Sequence, residues 1–327
     1  MKISHKRVFV TGAGGFIGSN LAERLVECGA EVLACVRSNS RNDLGFLKDI
    51  ADGERIRVCI ADVRDLQALS RAMAGADAVL HLAAQISIPY SFEHPYEVAE
   101  TNTLGSLNVL MAARSNNLQR IVLTSTSEVY GTAQYVPIDE RHPKHAQSPY
   151  AASKIAADAF ATSFHLSCDL PVVILRPFNT YGPRQSDRAI IPTLIAQALT
   201  RDEVEVGNTA ATRDFTYVSD TVEGFLCALR SEAAVGREIN LGTGADISIA
   251  DLARKIIHLV GRGNRLKSVA CRKRPAGSEV QRLLSDNRLA GEILSWSPKV
   301  SLDEGLGKTI AWVRQSLALY HPESYVI

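Results

Sequence analysis

Apolar residues in this chain fall into short unbroken runs separated by stretches with the three-and-four spacing of amphipathic helices. The run Val8-Phe9-Val10 ends in a glycine-rich turn, Gly12-Ala13-Gly14-Gly15-Phe16-Ile17-Gly18, which opens into Asn20-Leu21-Ala22-Glu23-Arg24-Leu25-Val26. This reads as strand, turn and helix, the helix running to Cys28 and stopping at Gly29, a C-cap residue. Further strands are expected at 31–36, 56–60, 78–82, 119–124 and 172–175, with long helices over 94–116 and 149–167. Such alternation predicts an α/β fold, a doubly wound Rossmann-type parallel sheet with right-handed crossovers. Past residue 176 the pattern changes. A helix begins near Ala189, short strands lie near 204–206 and 213–217, a strand at 238–241 returns to the sheet, and helices close the chain over 248–260 and 301–319. The expected division is a first domain of 1–176, with a returning segment near 214–242, and a smaller C-terminal α/β lobe over most of 177–327.

Composition narrows the class. A length of 327 residues is more than one compact core carries, which agrees with two joined lobes. Lys+Arg 36 against Asp+Glu 35 leaves a net charge of +1, so neither nucleic acid nor a membrane surface is an expected partner. The cysteines at 28, 35, 59, 168, 227 and 271 form no CxxC pair. No metal and no disulfide framework is expected, and reduced thiols suit a cytoplasmic protein. Met1–Lys6 holds no apolar leader, and no run has membrane-spanning length.

Two patterns carry chemistry. The spacing Gly12-x-x-Gly15-x-x-Gly18 lets the backbone approach a pyrophosphate, and the amides of the helix start, at Phe16 and Ile17, point at its charge. The second strand ends in Val36-Arg37-Ser38-Asn39-Ser40-Arg41, without the carboxylate that selects NAD. Arg37, Ser38 and Arg41 suit a 2′-phosphate, so NADP is favoured with NAD as the alternative. Asp62 and Val63 follow the third strand at the expected adenine rim, where Asp62 is otherwise a helix cap. Leu82-Ala83-Ala84 ends the fourth strand with residues small enough for close backbone approach, and Ser87, Tyr90 and Ser91 follow at the ligand-binding edge. In the second pattern, Pro149 starts a helix that sets Tyr150 and Lys154 on one face. A neighbouring ammonium favours phenolate, and such a phenol takes a proton from a sugar hydroxyl as hydride leaves the same carbon.

From Arg7 to Trp312 the chain resembles extended short-chain dehydrogenases/reductases of the nucleotide-sugar epimerase/dehydratase family. The resemblance rests on Gly12, Gly15 and Gly18, Asp62, Leu82-Ala83-Ala84, Asn102, Tyr150, Lys154 and Arg176-Pro177-Phe178-Asn179. It implies a bound NAD(P), to which Asn102 and Lys154 contribute, a nucleoside-diphosphate sugar substrate, and a homodimer through helices 94–116 and 149–167. It further implies that Thr126 holds the sugar O4 beside Tyr150, Glu128 removes the C5 proton, and Ser127 stands where many hexose dehydratases carry the aspartic proton donor. Asn179, Ile191 at the start of a base-covering helix, Arg213 and Arg274 fall at substrate positions, as does Ser87. The runs 182–192 and 274–283 resemble the 4,6-dehydratases of legionaminic acid-type pathways, which act on UDP- or GDP-linked N-acetylglucosamine. The expected activity is a nucleotide-sugar 4,6-dehydratase. The alternatives are a UDP-glucuronate-type decarboxylase or a 4-epimerase and, in another class, a non-catalytic NADP-binding sensor.

Overall fold

The computed structural model describes residues 1–38, 43–50, 55–269, 277 and 279–321. Its centre is a parallel sheet of seven strands. In chain order these are β1 (Arg7–Thr11), β2 (Glu31–Val36), β3 (Ile56–Ile60), β4 (Ala78–His81), β5 (Arg120–Thr124), β6 (Val172–Pro177) and, after three strands placed elsewhere, β10 (Glu238–Leu241). The spatial order is β10-β6-β5-β4-β1-β2-β3, so the winding reverses between β1 and β4. Ligand crevices form at such a switch point. The inner strands β1, β4, β5 and β6 are largely buried apolar runs because helices cover both faces.

The intervening helices are α1 (Phe16–Glu27), α2 (Leu66–Ala72), α3 (Ile88–Glu93), α4 (Pro95–Ala99), α5 (Gly105–Ser115) and α6 (Pro149–Cys168). The helix expected over 94–116 is α4 and α5 joined by a π-helical turn, Glu100–Leu104. Valines, leucines and alanines of α2, α5 and α6 pack on one face of the sheet around Leu69, Val109 and Ile174. The other face carries α1 and α8 (Val218–Arg230), and its core continues into the later part of the chain through Leu194, Phe215 and Leu252.

That later part is built from short strands, β7 (Asn179–Tyr181), β8 (Glu203–Val206), β9 (Thr212–Tyr217), β11 (Asp246–Ser248), β12 (Arg265–Ser268) and β13 (Arg282–Leu283). β9 pairs with β7, β11 and β13, and β8 pairs with β12. Helices α7 (Ile190–Thr200), α9 (Ile249–Val260), α10 (Arg288–Leu294) and α11 (Leu302–Gln315) complete it. β10 returns to the main sheet beside β6, with Glu238 opposite Ile174.

Two glycines fix the β1–α1 turn. Gly12 has φ +68°, and a Cβ there would stand 2.9 Å from the Ala83 amide nitrogen of the neighbouring strand end. A Cβ at Gly18 would fall on the Gly12 carbonyl oxygen, so the helix can follow the strand this closely only with glycine at that position.

Candidate active site

Above the β1–α1 turn lies an uncapped helix start. Gly15 is the N-cap of α1 and supplies no side-chain hydrogen bond, which leaves the first amides, Phe16 and Ile17 among them, to an anion. Across the switch point Thr11 Oγ1 accepts from the amides of Leu82 (3.0 Å) and Ala83 (3.1 Å), which fixes the Leu82-Ala83-Ala84 backbone beside the glycines. His81, invisible as chemistry in its apolar run, completes the brace. Its Nδ1 lies 2.7 Å from Thr11 Oγ1 and its Nε2 3.0 Å from Ser106 Oγ. The Ser106 hydroxyl donates to the Asn102 carbonyl at 2.6 Å, so His81 must donate from Nε2 and accept from Thr11. Complete burial, with Lys154 nearby, pushes this imidazole down to about 3 and keeps it neutral.

Asn102 is fully buried in the π-helical turn. Its amide donates to the Gln85 carbonyl (2.9 Å) and Ser153 Oγ (3.0 Å), and its oxygen accepts from Gln85 N (2.8 Å). Its amide clamps the segment after β4 to α6. A π turn makes this possible by re-aiming one side chain without ending the helix.

At the carboxyl ends of β2 and β3, Arg37, Ser38, Asp62 and Arg64 line a hollow of about 550 Å³. Arg37 and Ser38 are exposed there. Asp62 is not the helix cap, since Asp65 caps α2 by accepting from Ala68 N. Its carboxylate holds Arg64 at 2.8 Å, and Arg64 also reaches Glu100 at 3.2 Å. These bonds to Arg64 hold Asp62 below the usual carboxylate range. Val63 is buried beside Gly105, with its carbonyl taking a bond from Asn108 (3.0 Å). Arg41 and Arg274 lie outside the described residues.

Helix α6 starts cleanly, with Ser148 accepting from Ala151 N at 3.1 Å and Pro149 in the first turn. Tyr150 and Lys154 are both buried. The Tyr150 hydroxyl lies beside the Thr126 side chain, and Lys154 Nζ donates to the Thr124 carbonyl at 2.5 Å. Thr126 Oγ1 also accepts from Glu128 N at 3.2 Å and caps the 3-10 turn Ser127–Tyr130. Glu128 is half-buried, Ser127 is buried, and the Glu128 charge acts on the Tyr150 phenol. The residues at 126, 128, 150 and 154 therefore converge.

The expected tuning of Tyr150 by Lys154 does not hold in this structure. Burial pushes the phenol up to about 12; Thr126 lowers it, Glu128 raises it, and the ammonium contributes no resolved effect. Burial also pushes Lys154 down to about 8, and Asp158 opposes the fall. Spacing alone reports that two groups are neighbours, whereas here desolvation outweighs their interaction.

On the far side, Asn179 donates to the Asp214 carbonyl at 3.2 Å, and Ile191 is buried in the first turn of α7. Arg213 is buried, donating to its neighbour's carbonyl (Thr212, 2.9 Å) and to Glu279 at 3.4 Å. Ser87 caps α3 by accepting from Tyr90 N at 3.3 Å.

With this geometry in hand, one comparison is decisive: the family model described as GDP-mannose 4,6 dehydratase matches residues 9–309. The chain belongs to this family. Dehydratases, epimerases and decarboxylases acting on nucleotide sugars, all extended short-chain dehydrogenases/reductases, are its relatives. It is 31% identical to human dTDP-D-glucose 4,6-dehydratase over 332 residues, 95% of this chain and 91% of that one. It is 33% identical to UDP-glucose 4-epimerase of Mycolicibacterium smegmatis, covering 94% and 98%. Its fold matches the DesIV double mutant (dTDP-glucose 4,6-dehydratase) of Streptomyces venezuelae, solved with NAD and DAU bound. There the TM-score is 0.89 at 27% identity, covering 97% of this chain and 100% of that one.

Proposed function

We propose that the chain is a nucleotide-sugar 4,6-dehydratase acting on a UDP- or GDP-linked N-acetylhexosamine. The observation that carries the reading is that Glu128 lies close enough to Tyr150 for its charge to act on the phenol, which offers one base for each of the two protons this reaction must take from the hexose ring. A nicotinamide dinucleotide fits the residues present. A Cβ would fill the glycine cradle, the start of α1 is uncapped, and both meet at the switch point of the sheet. Gly12, Gly15, Phe16, Ile17 and Gly18 would hold its pyrophosphate, and Tyr150 and Lys154 its nicotinamide ribose. Arg37 and Ser38, exposed at the end of β2, support the 2′-phosphorylated form; the NAD named with DesIV supports the other. When bound, the nicotinamide supplies reversible hydride chemistry.

The residues then divide the work. Thr126 orients the C4 hydroxyl and Tyr150 takes its proton. The resulting C4 ketone acidifies the C5 hydrogen, which Glu128 removes. Hydroxide leaves C6 with a proton from Glu128, directly or through Ser127 or water. The hydride lost from C4 would return to C6 from the nicotinamide, and the proton held by Tyr150 goes to C5, so the hexose is oxidised at C4 and reduced at C6 with water as the second product and no net redox change. Asn179 and Ile191 would contact the substrate, and Arg213 would serve its diphosphate once Glu279 yields to it.

Mass spectrometry tests this. UDP- or GDP-N-acetylglucosamine is expected to give a product lighter by one water. An unchanged mass with both would favour epimerisation, and carbon dioxide release from a UDP-glucuronate would favour decarboxylation.

We also propose a homodimer through α4, α5 and α6. Tyr96 (80% exposed), Met111 and Leu166 (76%), with Leu104 in the turn between α4 and α5, put apolar surface on this face. Light scattering is expected to give twice 35.5 kDa, and a monomer at micromolar concentration would refute the proposal.

A further inference from the structure

Tyr150 and Lys154 are two rungs of a three-rung ladder. One turn further along α6 stands Asp158, fully buried, whose Oδ2 accepts from Ser125 Oγ at 2.9 Å. Residues 150, 154 and 158, each four apart on one face of the helix, thus stand against 126, 124 and 125, the three consecutive residues that lead from β5 into the turn carrying Glu128, with hydrogen bonds at 154 and 158. Asp158 Oδ2 also takes bonds from Arg176 Nη2 (2.9 Å) and Nε (3.3 Å), and Arg176 is itself fully buried on β6. Arg176 reaches on to Glu238 (2.7 Å) and donates to the Tyr130 hydroxyl (2.9 Å) at the end of that same turn.

We propose that Asp158 is a positioning residue for the Tyr150–Lys154 pair, acting as the buried anion that holds the end of β5 against α6 and sets the charge balance behind both groups. The inference rests on the reading of Tyr150 as the base at C4. Three observations support it. Asp158 Oδ1 is buried without a hydrogen-bond partner among the described residues, whereas a carboxylate kept only for structure is normally satisfied. The charge of Asp158 raises both the Tyr150 phenol and Lys154. The groups facing Asp158 are Lys154 on its own helix, Arg176 from β6, Lys144 from the loop before α6 at 4.0 Å, and Ser125 from β5, with Glu238 of β10 behind Arg176 and Lys144. Among these groups cations outnumber anions, so loss of the Asp158 charge leaves the surroundings of Tyr150 more positive and phenolate easier to form.

The test is a tyrosinate absorbance titration of Asp158→Asn, with the same protein carrying Tyr150→Phe as its blank so that Tyr150 alone is read. Relative to the parent pair, the midpoint is expected to fall by about one unit or more. An unmoved midpoint in folded protein overturns the proposal. The titration needs no turnover, so its failure is separate from failure of the dehydratase reading, which the product mass decides. If Asp158→Asn leaves Arg176 too poorly paired to fold, Ser125→Ala decides instead, since it removes the middle contact and keeps the ion pair. Its kcat is expected to fall about tenfold at unchanged KM. A kcat equal to the parent's would overturn the proposal.

Discussion

Glu128→Gln is expected to stop elimination while leaving the first oxidation intact. Glutamine keeps the size and hydrogen-bonding reach of the side chain and removes only its basicity, so the 3-10 turn capped by Thr126 should survive. Thr126 and Tyr150, assigned in the proposal to the C4 hydroxyl, are untouched. Mixed with sugar nucleotide, the variant should accumulate reduced nicotinamide absorbance. Release of 4-keto-6-deoxy product should slow by about 10²–10⁴-fold, the usual worth of a positioned base. A second signature follows from charge. Glu128 helps to hold the Tyr150 phenol up, so a neutral residue lets it ionise at lower pH. The acid limb of cofactor reduction should move to lower pH in the variant. Keto-sugar formation at the parent rate would remove Glu128 from its assigned role.

The main sheet was legible because its evidence is local. β2 and β3 are short, β-branched-rich runs between turn residues, and their bounds coincide with the expected 31–36 and 56–60. The return of 238–241 beside β6 was legible for the same reason. The strands β7, β11 and β13 have two or three residues and exist only through pairing with β9, which no window of sequence records. The site divides in the same way. Tyr150, Lys154, Thr126 and Glu128 are chemically conspicuous and sit at helix-start and strand-end positions. His81, Arg64 and Asp158 are not conspicuous. A lone histidine among apolar residues reads as core, and an aspartate amid the alanines of α6 reads as a surface position until β6 places Arg176 against it. The tuning of Tyr150 was misread for a related reason. Spacing identifies the neighbouring ammonium, but the solvent exclusion that dominates both groups is a property of the closed fold.

That exclusion makes Lys154→Met the sharpest test of what the site costs. Lys154 is buried with its Nζ on the Thr124 carbonyl. Burial lowers it from the ordinary 10.5 to about 8, with Asp158 only partly offsetting the effect. Between those values the unfolded chain binds more protons than the folded one, so the parent's stability should rise with pH across that window. Below about 8 the whole penalty for burying the ammonium is present. Methionine fills similar volume and carries no charge. Urea unfolding of cofactor-stripped protein at pH 7 is therefore expected to show the variant more stable by about 1–3 kcal/mol, reduced somewhat by the lost bond to Thr124. Above pH 10.5 that advantage should vanish. The same variant should lose about 10²–10⁴-fold in turnover, because the ammonium that stands beside Tyr150 and holds the Thr124 carbonyl is gone. Gained stability with lost activity is the mark of a residue kept for chemistry rather than for folding. A variant less stable than the parent at pH 7, or a difference indifferent to pH, would mean that the Lys154 ammonium is carried by its partners at no net cost.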